Sequence, residues 1–310
     1  MKIICITPVT DTMMQNLETK GDVTYCPNIN KNQLSEALKE DYDVIFTNPN
    51  KQGFVLDKGL LGPSSVSVIC TASTGTNHID KKYCQDNNIT IFSITTDYPL
   101  LRKITSTAEH SFALMMALLR NLPNSQNSVI AGAWNWEPFL GRQINCLKIG
   151  IVGYGRLGEM MARYCAAFGA EVYICDPYKS TDMKYPQVDS LERLFEICDV
   201  VSLHVHVTDE TKYFINKKLL AKVTKSVYLI NTSRGEVVDE KDIISMLESG
   251  KLAGYATDVV EDEFGDVSNS PIIQHLEDLN IIVTPHIGGM TSDARELAYN
   301  GAINKLENTK

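Results

Sequence analysis

The sequence holds no apolar run that approaches the length of a membrane span. Its amino terminus, "MKIICITPVT", alternates like a β-strand and lacks both the apolar h-region and the cleavage site of a signal peptide. No cysteine pair has the C-x-x-C spacing of a metal or redox motif. The eight cysteines, Cys5, Cys26, Cys70, Cys84, Cys146, Cys165, Cys175 and Cys198, are scattered and mostly lie in apolar runs, so they read as reduced core thiols of a cytosolic protein. An excess of positive charge is also missing. The net charge of −9 argues against a nucleic-acid or anionic-membrane partner, although it leaves the charge inside a pocket open. Repeats, low-complexity tracts and long linkers are absent. What remains is an ordinary globular composition, 44% hydrophobic and 22% charged, in 310 residues, enough for two domains.

The first hundred residues alternate short apolar runs with helix-like pieces. "KIICI", "DVTYC", "DVIFT", "VSVIC" and "ITIFSI" read as strands, and "NQLSEALKE" as a helix between two of them. This is the βαβ rhythm of a parallel sheet. A long helical segment follows from Thr105 to Arg120, apolar almost all round and therefore buried, and "NLPNSQN" is expected to end it. A second βαβ series begins at "LKIGIVGYGRLG", with strands expected at "KIGIV", "EVYIC", "DVVSLHV", "SVYLI", "LAGYATDV" and "NIIVT". Helices are expected at Ser190 to Ile197, at Glu240 to Ser249 with Gly250 as C-cap, and over the last twenty residues with Thr291 or Ser292 as N-cap. The boundary between the two series falls near Pro99 to Thr105, and the final helix is expected to return to the first domain.

The stretch "GIVGYGRLG" places Gly153, Gly155 and Gly158 in G-x-G-x-x-G spacing after a strand and at the start of a helix. Gly153 permits the tight turn, Gly155 the approach of a pyrophosphate to the backbone, and Gly158 the packing of helix on strand. The helix N-terminus supplies amide donors and the positive end of a dipole. The next strand ends in Asp176, eighteen residues after Gly158, where a carboxylate can bond adenosine ribose hydroxyls and repel a 2′-phosphate. NAD is the cofactor this arrangement favours, and the nearby Lys179 could soften the preference against NADP.

Three polar features then follow at the ends of strand-like runs: Arg234 in "NTSRGEVVD", Asp258 and Glu263 in "ATDVVEDE", and His286 in "VTPHIGG". Each alone has an ordinary structural explanation. Together, at the carboxyl ends of one sheet beside a dinucleotide motif, they suit hydride transfer from an alcohol carbon. Histidine exchanges the hydroxyl proton near neutral pH, a carboxylate orients the imidazole, and a guanidinium binds a substrate carboxylate by two bonds.

With these motifs in hand, the chain resembles the D-isomer-specific 2-hydroxyacid dehydrogenase family, nearest to its D-3-phosphoglycerate dehydrogenase and hydroxypyruvate reductase branch. The resemblance runs in order through "TASTGTNHID", "STAEHSFALMMALLR", "GIVGYGRLG", "NTSRGEVVDE", "ATDVVEDE" and "PHIGGMT". It implies two doubly wound parallel-sheet domains, a flavodoxin-like substrate domain (1–100 and 288–310) and a Rossmann NAD-binding domain (101–287). It implies that Arg234, Glu263 and His286 are catalytic, and that Ser73, Thr74 and Gly75 join Arg234 in holding the substrate carboxylate. Cofactor contacts would come from Gly153, Tyr154, Gly155, Arg156, Leu157, Gly158, Asp176, His204, Thr208, Thr232, Ser233, Asp258 and His286. Asp258 would meet the nicotinamide carboxamide and Thr208 would lie near the phosphates. No metal is implied. The implied partners are a small 2-hydroxy or 2-oxo acid and a second copy of the chain, a homodimer built on the helix Thr105 to Arg120 and the arm "AGAWNWEPF".

The chain departs from the family pattern in two places. "LHVHVT" carries His204 and then His206 where the family commonly has His-x-Pro. In "FTNPNKQG", Asn48 or Asn50, with Lys51 as the nearest cation, stands where phosphoglycerate dehydrogenases usually place an arginine for the substrate phosphate. Two other readings are a formate- or phosphite-type dehydrogenase, although the formate branch usually has Gln at the position of Glu263, and a non-catalytic NAD(H)-sensing protein.

Overall fold

Each of the eleven apolar runs forms a strand, and every strand pairing is parallel. The computed structural model describes residues 1–49, 53–181, 184–221, 223–263 and 265–308. The chain divides into two units, Met1–Ile104 with Met290–Lys310, and Thr105–Gly289.

The first unit holds β1 (Lys2–Cys5), β2 (Asp22–Tyr25), β3 (Val44–Thr47), β4 (Val68–Thr71) and β5 (Thr90–Phe92) in the order β2-β1-β3-β4-β5. This is the flavodoxin-like order, with its switch point where β1 lies between β2 and β3. Successive residues of β1 enter opposite cores. Ile3 and Cys5 join one cluster with Phe46, Tyr299 and Ile303, and Ile4 joins the other with Leu34, Ile45 and Leu60. Both faces of the sheet are covered, which is why the central strands β3 and β4 are buried at every position. The helix Ser292–Lys305, capped by Thr291 Oγ1 accepting from Ala294 N at 3.2 Å, covers one face.

The second unit holds β6 (Lys148–Val152), β7 (Glu171–Cys175), β8 (Val200–Leu203), β9 (Val227–Asn231), β10 (Leu252–Thr257) and β11 (Ile281–Val283) in the order β7-β6-β8-β9-β10-β11. Its switch point lies at β6. Here too both faces are buried: Ile149, Ile151 and Ile230 pack on one side, Val201, Leu203 and Leu229 on the other. Ser190 caps Leu191–Ile197, and Gly250, at φ +72°, follows the helix Glu240–Glu248 in the left-handed conformation.

"NLPNSQN" does end the helix Ser106–Leu119, but a second helix, Leu122–Ile130, begins at once. Asn121, at φ +51°, turns the chain, and the proline in the first turn of the new helix costs no hydrogen bond there. All eight cysteines are free. Burial pushes the thiols of Cys5 and Cys175 up to about 11 and those of Cys70, Cys165 and Cys198 up to about 12, so these five are unreactive core groups. No helix among the described residues is long and apolar enough to cross a membrane.

Candidate active site

The loop after β6 emerges at the switch point, where open α/β sheets bind ligands. Its three glycines are needed for three different reasons. Gly153 has φ +85°, and a Cβ there would lie 2.4 Å from the His204 carbonyl oxygen. Gly158 sits in the first turn of the helix Arg156–Ala167, where a Cβ would lie 2.0 Å from the Gly153 carbonyl oxygen. Gly155 is the N-cap of that helix, without a side-chain cap, and a Cβ there would meet nothing within 4 Å. The first two glycines serve the protein itself, while the third exposes backbone. A helix N-terminus with an open glycine in front of it fits a pyrophosphate. Arg156 and Leu157 are half-buried at the same helix start, and burial lowers the Arg156 pKa from its usual value.

Asp176 follows β7 and ties the neighbouring loops. Its carboxylate accepts from Tyr154 N at 2.7 Å, Tyr178 N at 2.8 Å and Lys179 N at 3.1 Å. The Tyr154 ring packs edge-on against Tyr185. A carboxylate fixed at the end of the second strand, beside the glycine loop, fits the ribose end of a dinucleotide.

Several expected cofactor residues turn their side chains inward. His204 Nε2 lies 2.9 Å from Ser202 Oγ, and burial lowers its pKa to about 4, so the ring is neutral and faces the protein. It touches the glycine loop through its backbone. His206 is exposed. The Thr208 hydroxyl lies 3.1 Å from Thr211 Oγ1 and caps a local turn. Buried Thr232 pairs with Ser111 Oγ at 2.5 Å. Buried Ser233 donates to Leu203 O at 2.7 Å and accepts from Val205 N at 3.2 Å, stitching the end of β9 to that of β8. Thr232 and Ser233 thus offer a cofactor backbone rather than free hydroxyls.

Arg234, Glu263 and His286 leave the sheet after β9, β10 and β11. His286 Nδ1 lies 2.8 Å from Glu263 Oε2, with the histidine side chain 45% exposed and the glutamate 18%. Both lie in unusual backbone: His286 itself has φ +53°, and Asp262, just before Glu263, has φ +55°. Such conformations cost energy in non-glycine residues and persist where the surroundings impose them. The half-buried Arg234 guanidinium donates to Ser233 O at 2.6 Å, and among the described residues no carboxylate forms a salt bridge with it. Most of its five N–H donors remain available to an anion. Gly235 follows Arg234 at a close approach of two loops. A Cβ there would lie 2.1 Å from the Val260 carbonyl carbon, so the glycine lets the Arg234 loop dock on the backbone of the Glu263 loop.

Asp258 is 2% exposed and its carboxylate is fully engaged within this unit. Oδ1 accepts from Thr284 Oγ1 at 2.6 Å and Ile287 N at 2.8 Å, and Oδ2 from Gly288 N at 2.7 Å. Its main-chain oxygen accepts from His286 N at 2.9 Å. Asp258 is therefore a strut for the turn that carries His286.

Sequence reading missed Glu240. It is 4% exposed, accepts from Glu261 N at 2.8 Å and Ser270 Oγ at 2.7 Å, and so fixes the base of the Glu263 loop. An acid at the first position of a helix is ordinary, and nothing local reveals its burial.

In the first unit, Ser73, Thr74 and Gly75 follow β4. Ser73 Oγ donates to Gly75 O at 2.5 Å, Thr95 Oγ1 donates to Thr74 O at 2.9 Å, and Thr71 Oγ1 bridges Ser73 Oγ at 2.9 Å and His78 Nε2 at 3.1 Å. Burial lowers the His78 pKa to about 4, so this ring is neutral too. Asn48 follows the adjacent β3, and its Oδ1 is buried without a hydrogen-bond partner among the described residues. Asn50 and Lys51 lie outside the described residues.

Residues 112–288 match the family model described as D-isomer specific 2-hydroxyacid dehydrogenase, NAD binding domain. The chain is 33% identical over 236 residues to D-3-phosphoglycerate dehydrogenase of Bacillus subtilis, covering 75% of this chain and 43% of that protein. It is 30% identical over 284 residues to 2-hydroxyacid dehydrogenase A of Aspergillus oryzae, covering 88% and 80% respectively. Among solved structures, D-lactate dehydrogenase of Aquifex aeolicus, complexed with NAD and lactic acid, matches with a TM-score of 0.79 and 27% identity, covering 100% of this chain and 95% of that one. The chain spans 43 to 63% of the length of several phosphoglycerate dehydrogenases that it matches. With more than half of its length matching the family model, the chain belongs to the D-isomer specific 2-hydroxyacid dehydrogenase family.

Proposed function

We propose that this protein is an NAD-dependent oxidoreductase that interconverts a D-2-hydroxy acid and its 2-oxo acid. The observation that carries the reading is the His286–Glu263 pair at 2.8 Å, which leaves the strand ends of the NAD-binding sheet together with an arginine that forms no salt bridge with a carboxylate among the described residues. When bound, the nicotinamide donates or accepts the hydride. The protein handles the proton. With Nδ1 directed at Glu263, Nε2 is the nitrogen left to the substrate oxygen, as a base in oxidation and an acid in reduction. Glu263 fixes the orientation of the ring. Arg234 anchors the substrate carboxylate and polarises the reacting oxygen. The first unit, with the Ser73–Gly75 loop after β4, serves as substrate domain. Gly153 to Gly158 hold the pyrophosphate, and Asp176 meets the ribose and selects NAD(H) over NADP(H). Asp258 supports the nicotinamide end by holding the His286 turn.

Relatives named D-3-phosphoglycerate dehydrogenase and hydroxypyruvate reductase bracket the substrates to try. Asn48 at the end of β3 supports a substrate without a phosphate. We also propose a homodimer. Ile130, Trp134, Trp136 and Leu140 are 70 to 83% exposed, an apolar surface that a second copy would cover. The eight free thiols support a cytoplasmic location. The test of activity is NADH oxidation against a panel of phosphorylated and unphosphorylated 2-oxo acids, repeated with NADPH. Turnover of at least one acid to its D-alcohol, faster with NADH, is expected. No turnover of any acid by NADH-binding protein, or equal kcat/KM with both cofactors, overturns the corresponding part.

A further inference from the structure

The helix Ser106–Leu119 is apolar over most of its surface, yet it carries an imidazole, His110, inside the second unit. The mechanism above uses no side chain of this helix. His110 Nε2 lies 2.8 Å from Thr284 Oγ1 and 3.3 Å from Asp258 Oδ1, with its side chain 19% exposed. The bonding around Thr284 fixes the ring's role. The Thr284 hydroxyl hydrogen is directed at Asp258 Oδ1 at 2.6 Å, so Thr284 Oγ1 can only accept from His110. Nε2 therefore carries a hydrogen, shared between Thr284 and Asp258. The chain of donors runs from His110 through Thr284 to Asp258, and Asp258 grips the turn on both sides of its peptide: its carbonyl takes His286 N, its carboxylate Ile287 N and Gly288 N.

The turn needs such a grip because His286 sits at φ +53°, a conformation that a non-glycine residue does not keep unaided. The packing is close as well. A Cβ on Gly288 would lie 2.9 Å from Asp258 Oδ2 and 3.6 Å from His110 Cδ2. Asp258 in turn is a buried carboxylate, and such a group stays in place only while donors surround it. Thr284 and His110 supply two of those contacts at Oδ1, the oxygen that also accepts from Ile287 N.

We propose that His110, acting through Thr284 and Asp258, is a positioning residue that holds His286 in its working geometry. The inference rests on the reading of His286 as the acid/base. Removing the Nε2 hydrogen loosens the turn while leaving the glycine loop and Arg234 untouched. A displacement of about 1 Å at a catalytic group costs up to roughly 100-fold in rate.

The test uses His110→Phe, which keeps the ring shape without the donor, and His110→Gln, which returns an N–H near the position of Nε2. Thr284→Val breaks the chain at its middle link and serves if His110→Phe does not fold. Three quantities are measured on the folded proteins: kcat and KM in reduction, the NADH Kd, and the ring 15N and 13C shifts of His286, assigned by comparison with His286→Ala. Expected are a roughly 10- to 100-fold lower kcat in His110→Phe and Thr284→Val, a change of less than about twofold in NADH Kd, altered His286 ring shifts, and recovery of most of the loss in His110→Gln. Unchanged kcat and unchanged His286 shifts in both disrupting variants overturn the proposal, as does a loss confined to NADH binding. If wild-type protein reduces no 2-oxo acid, the proposed activity fails on its own, and the ring shifts still decide whether His110 governs His286.

Discussion

The two sheets begin with the same winding, yet the loops at their switch points differ. In the first unit β1 leads to the helix Asp11–Glu18, and in the second β6 leads to Arg156–Ala167. The first helix closes its own end: Thr10 Oγ1 accepts from Met13 N and an acid, Asp11, opens the first turn. The loop before it is filled by the helix Ser292–Lys305, with Tyr299 OH 2.9 Å from Thr7 Oγ1 and Arg295 donating to Pro8 O. The second helix starts at Gly155 with no side-chain cap and open space where a Cβ would stand. Winding supplies a crevice in both units; the residues of the loop decide whether an anion can use it.

The largest effect should follow from the chemistry proposed for the second sheet. His286→Ala should lose roughly 10²–10⁴-fold in rate while still binding NADH. Glu263→Gln should lower kcat by a smaller factor than His286→Ala, because an amide holds the imidazole by a weaker bond than the carboxylate does. Arg234→Lys should not restore function, since a point charge lacks the guanidinium fork. Wild-type turnover by His286→Ala would remove the second sheet's special status.

The glycines sharpen the contrast within one loop. Gly158→Ala places a methyl against a carbonyl oxygen and should cost about 3 kcal/mol of stability, read as a lower urea midpoint. Gly155→Ala meets no protein atom and should be as stable as wild type, with an NADH Kd raised about tenfold by the methyl in the path of the pyrophosphate. Wild-type NADH affinity in Gly155→Ala would contradict the assignment of that open face.

The pH dependence of stability draws on one histidine in each unit. Burial lowers both His78 and His204 to about 4, against about 6.5 in an unfolded chain. Between those values the unfolded chain binds protons that the folded one refuses, so stability falls as pH drops from about 6.5 to about 4. The loss should be about 2 kcal/mol for each group at pH 5. Urea midpoints at pH 7 and pH 5 for wild type, His78→Gln and His204→Gln should show the slope reduced in each variant. An unchanged slope in both would mean that neither ring is held neutral by burial.

The smallest effect belongs to the closed loop of the first unit. Thr10→Ala should cost about 1 kcal/mol and leave NADH affinity as it was.

The strands were legible because parallel sheets covered on both faces write themselves as unbroken apolar runs, and the three glycines because their spacing encodes a turn, an approach and a packing contact. That Arg234, Glu263 and His286 stand after β9, β10 and β11 was legible from the apolar runs that precede them. What escaped depends on neighbours remote in sequence. Gly235 is needed because the backbone of Val260 and Glu261 lies against it. The hydroxyls of Thr232 and Ser233 turn inward to Ser111 and Leu203. The carboxylate of Asp258 is filled by a turn some thirty residues later, and Pro123 reads as a helix terminator although it lies in the first turn of the next helix. A lone imidazole at the polar start of a largely apolar helix was the signal available for His110.

The most direct test of the contrast between the two loops is backbone hydrogen exchange with and without saturating NADH, read in peptides covering Ile6–Thr10 with the helix after it and Gly153–Gly158 with its own. NADH should slow exchange in the Gly153–Gly158 peptide and leave the Ile6–Thr10 peptide unchanged. Equal protection of both, or protection of the first alone, would contradict the claim that loop chemistry, and not winding, places the dinucleotide.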